Sequence, residues 1–114
     1  MQMHSAQVGE NLVVSIDDNR IDAAVAVRFK DRMLELTKHP AKRVILDLRN
    51  VDFLDSSGLG AVVGAMKQLG NNRQLDLAGL TPTVRKVFRI TRMDKVFRIY
   101  ENADAALQDV AHAS

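Results

Sequence analysis

The sequence predicts an α/β fold, in which a mixed, mostly parallel sheet of about four to five strands packs with about four helices. Short segments with the two-residue apolar period of a strand are separated by segments in which apolar residues recur every three or four positions, as in a helix. Alternation of this kind is typical of an α/β layer with right-handed parallel connections. With 114 residues and no linker, residues 1–114 are expected to form a single domain.

The composition excludes several kinds of site. The absence of cysteine excludes disulfides and thiolate metal or redox centres. Sixteen basic residues are nearly balanced by fourteen acidic ones, so the charge gives no indication of nucleic-acid binding. No segment reaches the roughly eighteen apolar residues of a membrane span, and the first residues do not resemble a secretory signal. We therefore expect a cytoplasmic protein that does not insert into a membrane.

A hairpin is predicted at the start of the chain. Leu12, Val14 and Ile16 alternate along one face of a strand. Residues 9–11, Gly-Glu-Asn, are typical of a turn, and residues 3–8 are expected to form the partner strand.

A helix and a buried strand are predicted next. The helix begins at Asp22, an N-cap or first-turn acid whose carboxylate can accept hydrogen bonds from free backbone amides. His39 and Pro40 end it. Residues 43–48 are nearly continuously apolar and rich in β-branched side chains, as expected of a buried parallel strand.

The rest of the chain repeats this order. A helical stripe over residues 59–69 is closed by Gly70, and residues 74–77 alternate as a strand. Thr81 and Pro82 then suit the N-cap and first position of another helix.

One tetrapeptide, Val-Phe-Arg-Ile, occurs twice. Its first copy, residues 87–90, continues a helical apolar spacing, whereas the second, residues 96–99, alternates as a strand. We therefore predict different structures for the two copies and no duplication, followed by a last helix that runs from Ala105 to Val110.

The loop over residues 55–60, Asp-Ser-Ser-Gly-Leu-Gly, is the main candidate site because loops after parallel strands commonly carry function. The two serines precede a helix, where free amides and the helix dipole favour an anion such as phosphate. A structural interpretation is also open: one serine is an N-cap, and the glycines at 58, 60 and 64 permit close helix-to-sheet packing. A serine hydrolase is not expected, because the loop lacks a G-x-S-x-G elbow and the three histidines lie elsewhere.

Three further patterns have mainly structural interpretations. The spacing of the three glycines matches no nucleotide-binding motif. The basic residues over 85–98 are interleaved with Phe88 and Phe97, but both phenylalanines lie on predicted apolar faces, so a solvated face or a basic rim for an acidic protein partner is expected rather than a nucleic-acid groove. Several carboxylates could converge near the serines and bind Mg²⁺, although capping and turn formation are favoured and no metal or cofactor is expected: Asp17, Asp18, Asp22, Asp47, Asp52 and Asp55.

The chain resembles the anti-sigma factor antagonists of the STAS family. The likeness runs from about residue 12 to residue 110 and depends most on residues 20–23, Arg-Ile-Asp-Ala, and on residues 51–60, Val-Asp-Phe-Leu-Asp-Ser-Ser-Gly-Leu-Gly. Residues 78–85 and 96–100 also match. Asn19 departs from the glycine that the family usually has at that place.

The resemblance implies a STAS-type fold and a regulator that switches partners without being an enzyme. In such a protein a cognate anti-sigma factor, which is also a serine kinase, would phosphorylate Ser57, with Ser56 as the second choice. The unphosphorylated form would bind the anti-sigma factor and release its sigma factor or other target, and a PP2C-type phosphatase would restore that form. The alternative is a non-phosphorylated STAS subunit of a membrane lipid transport system. The residues expected to contact the partner are Asp22, Asp55, Ser56, Ser57, Gly58 and Leu59.

Overall fold

A computed structural model describes residues 1–109 and contains the predicted alternation of strands and helices. The strands are β1 (Met3–Val8), β2 (Asn11–Ile16), β3 (Arg20–Ile21), β4 (Arg43–Asp47), β5 (Phe53–Leu54), β6 (Gln74–Ala78) and β7 (Ile99–Tyr100). The helices are α1 (Ala26–Leu36), α2 (Ser56–Leu69), α3 (Pro82–Ile90) and α4 (Ala103–Gln108), and a 3₁₀ helix covers Met93–Lys95. The fold class predicted from the sequence is confirmed.

The main sheet has five strands in the order β1, β2, β4, β6, β7. Only the β1–β2 hairpin is antiparallel, and the other three pairs are parallel. The short strands β3 and β5 form a separate parallel pair. In the chain β3 follows β2 and β5 follows β4, directly before α2. The pair therefore joins the start of α2 to the segment after β2 and positions the candidate site.

The central strand β4 explains why the sheet holds together. All five of its residues are buried, because one face packs with side chains of α1, α2 and α3 and the other is covered by α4. On the α4 face, Arg43 pairs with Asp76 at 2.7 Å, and its Nη1 donates to the Ala106 carbonyl at 2.7 Å. Charged residues are buried here only because they are paired.

The first helix begins later than the sequence suggested. Residues 22–25 form a turn in which the Asp22 carboxylate accepts from the Ala24 amide at 3.1 Å and the Asp22 carbonyl accepts from the Val25 amide at 3.1 Å. Aspartate side chains commonly stabilise such turns in competition with a helix. The prediction that Asp22 is an N-cap or first-turn acid is therefore wrong, because Val25 is the N-cap of α1.

The two copies of Val-Phe-Arg-Ile do adopt different structures. The first copy ends α3, whereas the second lies mostly before β7, so the strand predicted over 96–99 is shorter and later than expected. Phe97 packs edge-on against Phe88 with ring centres 5.9 Å apart, which draws this segment onto α3 rather than along the sheet. The predicted Val110 at the end of the last helix lies outside the described residues.

Candidate functional site

Asp55 fixes the start of α2. Its backbone is extended, and its Oδ1 accepts a hydrogen bond from the Gly58 amide at 2.8 Å, which makes it the N-cap of the helix. The expectation that a serine caps this helix is therefore wrong. Asp55 caps the helix instead, because its side chain is longer than that of serine and reaches the Gly58 amide with one oxygen. The other oxygen is left to accept a second hydrogen bond.

The two serines occupy the first two positions of α2 and are both exposed. Neither hydroxyl has a hydrogen-bond partner among residues 1–109, and the same holds for the Ser56 and Ser57 amides. Unpaired amides in a first helical turn carry the positive end of the helix dipole. The turn therefore presents free hydroxyls in a field that favours a bound negative charge.

The second oxygen of Asp55 joins α2 to the turn that follows β3. Its Oδ2 accepts from the Ala23 amide at 3.1 Å, while the Asp55 amide donates to the Ile21 carbonyl at 3.4 Å. Asp22 is the residue between these two contacts. The turn that carries Asp22 is therefore tied to the first turn of α2, which carries the two serines.

Arg20 and Phe53 belong to the same region and were missed by the sequence analysis. The Arg20 guanidinium lies 4.1 Å from the centre of the Phe53 ring, and its Nε donates to Asp22 at 3.3 Å. A stacked guanidinium gains from the negative face of the ring. The Arg-x-Asp spacing could have indicated the hydrogen bond between Arg20 and Asp22, because residues two apart in an extended segment lie on one face.

Gly58 is the point where α2 contacts β3 most closely. A Cβ at this position would lie 2.0 Å from the Ile21 carbonyl oxygen, so only glycine fits. Gly60 has open space around its Cα, and Gly64 faces the Lys30 side chain of α1. The structural interpretation is correct for Gly58 and wrong for the other two, since neither allows an approach to the sheet.

Leu59 differs from the rest of the predicted contact set. It is half-buried and packs against the core, and its amide bonds to the Asp55 carbonyl at 2.9 Å. Part of its side chain remains exposed beside the serines. Its place at the edge of the site is compatible with a partner contact that is also structural.

The remaining carboxylates do not converge on the serines. Asp17 pairs with His4 and Asp18 accepts from the Gln2 amide, both beside β1. Asp47 is buried and accepts from the Arg49 amide at 3.1 Å. Across residues 1–109 no three acidic, histidine or cysteine side chains come close enough to hold a metal ion. The magnesium alternative therefore has no ligand set in this part of the chain.

The basic residues around α3 lie on an exposed surface. Phe88 and Phe97 are buried, as the apolar pattern predicted, so neither ring is available to stack on a base. Arg85, Arg89 and Lys95 remain exposed to solvent.

In the described part of the chain, no helix is long and apolar enough to cross a bilayer.

Comparisons with known proteins agree on the family and the fold of the chain. The family model of the STAS domain matches residues 2–106. A STAS-domain containing protein of Pseudomonas aeruginosa is 34% identical over 92 residues, which are 80% of this chain and 89% of the relative.

Three solved structures show how far the fold is shared. An anti-sigma factor antagonist from Mycobacterium paratuberculosis superposes with a TM-score of 0.85 at 24% identity, covering 96% of this chain and 93% of that one. The anti-sigma factor antagonist SpoIIAA in its unphosphorylated form gives 0.75 at 22% identity, with 99% of both chains covered. Its phosphorylated form, from Bacillus, gives 0.68 at 23% identity, with 96% and 99% covered.

Proposed function

Because the chain belongs to the STAS domain family, we propose that it is an anti-sigma factor antagonist whose binding surface is the start of α2 and the turn after β3. The observation that carries the proposal is the state of Ser57, an exposed hydroxyl without a partner among residues 1–109, at a turn anchored by Asp55. The protein itself binds a partner, and the proteins that phosphorylate and dephosphorylate it are the enzymes.

Ser57 is the proposed phosphorylation site, with Ser56 as the second choice. A phosphate on Ser57 adds about 1.5 to 2 negative charges at the N-terminus of α2, where free amides and the helix dipole accept them. The existing N-cap bond uses the Gly58 amide and leaves those of Ser56 and Ser57 available. The fold is therefore expected to survive phosphorylation.

The effect of phosphorylation is assigned to the interface. Asp55 precedes the serines directly, Asp22 lies in the turn that Asp55 holds, and Arg20 is the basic side chain that pairs with Asp22. A further negative charge would be repelled and desolvated in an interface that fits a neutral hydroxyl. A cost of a few kcal/mol weakens binding by two or more orders of magnitude.

The partners follow from this switch. The unphosphorylated form binds an anti-sigma factor that is also a serine kinase, and this releases a sigma factor or another target. A PP2C-type phosphatase returns the protein to its binding form. These reactions place the protein in the cytoplasm. The antagonist SpoIIAA, which has the same fold, exists in an unphosphorylated and a phosphorylated form, and this supports a switch of this kind.

The test compares three variants with the wild-type protein. Ser57→Ala keeps a small neutral side chain and is expected to capture the kinase, whereas Ser57→Asp is expected to bind it at least tenfold more weakly. Ser5→Ala, at an exposed serine of β1 outside the proposed binding surface, is the matched control, with binding and phosphorylation retained. If Ser57→Asp captures the kinase as tightly as wild type while Ser57→Ala loses it, the proposed switch is wrong.

Mass spectrometry after incubation with cell extract and ATP identifies the modified residue. Phosphate on Ser57 that disappears in Ser57→Ala supports the proposal. Phosphate on Ser56 alone would move the switch to the neighbouring residue. The absence of phosphate on either serine would favour the non-phosphorylated subunit of a lipid transport system.

A further inference from the structure

A groove of about 460 Å³ opens at the end of α2 opposite Ser57. It lies between the last turn of α2, the first residues of β6 and the segment that precedes β7. The fourteen residues of α2, at about 1.5 Å each, separate it from Ser57 by about 20 Å. The groove is therefore distinct from the proposed phosphorylation site.

The first three residues of β6 have no ladder partner on the β7 side, because β7 pairs only with the last two residues of β6. Leu75 itself is 4% exposed, at the base of the groove. In a parallel ladder the main-chain groups of successive residues point to opposite neighbours. The Gln74 amide donates to the Lys42 carbonyl on the β4 side, and the Leu77 amide donates to the Arg98 carbonyl on the β7 side. The N–H and C=O of Leu75 therefore point to the β7 side, and neither has a partner among residues 1–109.

The electrostatics of the groove favour an anion. Lys67 and Arg98 are exposed, and neither forms an ion pair with any other residue of the described range 1–109. The groove wall also contains Asp76, but both of its carboxylate oxygens are occupied, one by Arg43 and one by Gln74, at 2.7 Å each. Arg73 also lines the groove, but its guanidinium donates to three backbone carbonyls. Lys67 and Arg98 are therefore the two lining cations whose charge is left for a ligand.

Apolar side chains complete the lining. Leu75 and Met66 pack with the core, and Val96 is 47% exposed at the border of the groove. A ligand with an aliphatic group would bury the exposed apolar surface of Val96, and this burial would stabilise the complex.

We propose that this groove binds the C-terminal residues of an extended partner polypeptide. The peptide backbone pairs with the free N–H and C=O of Leu75, the terminal carboxylate is held by Lys67 and Arg98, and an aliphatic last side chain packs on Val96. Addition of a strand to a sheet edge and capture of a terminal carboxylate are established modes of peptide recognition. A fatty acid would satisfy the cations and the apolar surface but leave both main-chain groups of Leu75 unpaired.

The test uses a pool of N-acetylated tetrapeptides that end in valine, leucine or isoleucine and have randomised preceding positions. Titrated to about 5 mM against ¹⁵N-labelled protein, the pool is expected to shift the amide signals of Leu75 and Arg98. The same pool with amidated C-termini, and hexanoate, are expected to leave them in place. Unchanged signals with the free-acid pool overturn the proposal, as does an equal response to the amidated pool or to hexanoate.

Variants locate the binding site. Lys67→Ala and Arg98→Ala are each expected to weaken peptide binding about tenfold, as loss of a charge-assisted hydrogen bond does. Lys86→Ala removes the same charge from the exposed face of α3 and is expected to leave binding unchanged. Equal weakening by all three would reduce the effect to net charge and refute the groove. Ser57→Asp is expected to bind the peptides like wild type, so this proposal and the phosphorylation switch can fail separately.

Discussion

The Oδ2 atom of Asp55 accepts a hydrogen bond from the Ala23 amide, 32 residues earlier in the chain, at 3.1 Å. The other oxygen of the same carboxylate caps α2 through the Gly58 amide at 2.8 Å. One side chain therefore sets both the start of the helix that carries Ser57 and its distance from the turn that carries Asp22. The geometry of the proposed binding surface depends on this single carboxylate.

Replacement of Asp55 separates its two functions. Asp55→Asn keeps one oxygen for the Gly58 amide but cannot also accept from Ala23, so we expect α2 to remain capped while the turn after β3 loosens. Asp55→Ala removes both acceptors and is expected to cost about 1 to 2 kcal/mol of unfolding free energy. Denaturant unfolding and amide hydrogen exchange at Ala23 measure the two effects. Slow exchange at Ala23 in Asp55→Asn would contradict the assignment.

Gly58 and Gly60 form a matched pair for testing the contact between α2 and β3. A Cβ at Gly58 meets the Ile21 carbonyl oxygen at 2.0 Å, so Gly58→Ala is expected to displace the first turn of α2 and to destabilise the fold by about 2 kcal/mol or more. Gly60→Ala meets open space within a helix and is expected to stabilise it by about 0.5 to 1 kcal/mol. Thermal unfolding checks both signs, and equal effects of the two variants would show that helix propensity alone governs them.

The sequence predicts the order of the longer elements well because each has a local signal, whereas the two-residue strands β3 and β5 were not predicted. The apolar run of β4 and the helical apolar spacing of α2 predict the structures that these segments adopt in the fold. The turn after β3 is different, since Asp22 is equally suited to an N-cap and to a turn, and only packing decides between them. The position of α1 was therefore mispredicted by four residues.

The candidate site was found from the sequence, but its internal contacts were not. Two serines before a helix suggested a cap, whereas Asp55 forms it through Gly58 and also reaches the Ala23 amide in the turn after β3. The stacking of Arg20 on Phe53 likewise joins two segments that are distant in sequence. Such long-range contacts have no local pattern, and a single sequence cannot specify them.

The buried ion pair of Arg43 and Asp76 allows a test of what stabilises the face of the sheet that α4 covers. The side chains are 4% and 1% exposed, so removing one partner leaves the other charge buried without compensation. Arg43→Met is expected to cost about 3 to 5 kcal/mol. The Arg43→Met, Asp76→Leu double variant is expected to recover most of that loss, because no unpaired charge remains. Urea unfolding of the variants gives the coupling, and strictly additive losses would contradict it.

Tyr100 is expected to make the fold sensitive to high pH. Burial raises the pKa of its hydroxyl above 10.0, and the hydrogen bond to Asp109, at 2.6 Å, raises it further. The folded protein therefore keeps this proton more tightly than the unfolded chain does. The resulting stability is complete below about pH 10 and is lost as the pH rises through the pKa of the folded state.

Tyr100→Phe removes both the proton and the hydrogen bond to Asp109. We expect the variant to lose about 1 kcal/mol at neutral pH, because a partly buried hydrogen bond disappears. Between about pH 9 and pH 11 its unfolding free energy is expected to fall less steeply than that of wild type, since the lysines titrate in both proteins and the tyrosine only in one. Urea unfolding at constant ionic strength across this range measures the two slopes. Parallel slopes would mean that the pKa of Tyr100 is the same in the folded and unfolded states. The contact with Asp109 would then not contribute to the pH dependence of the unfolding free energy.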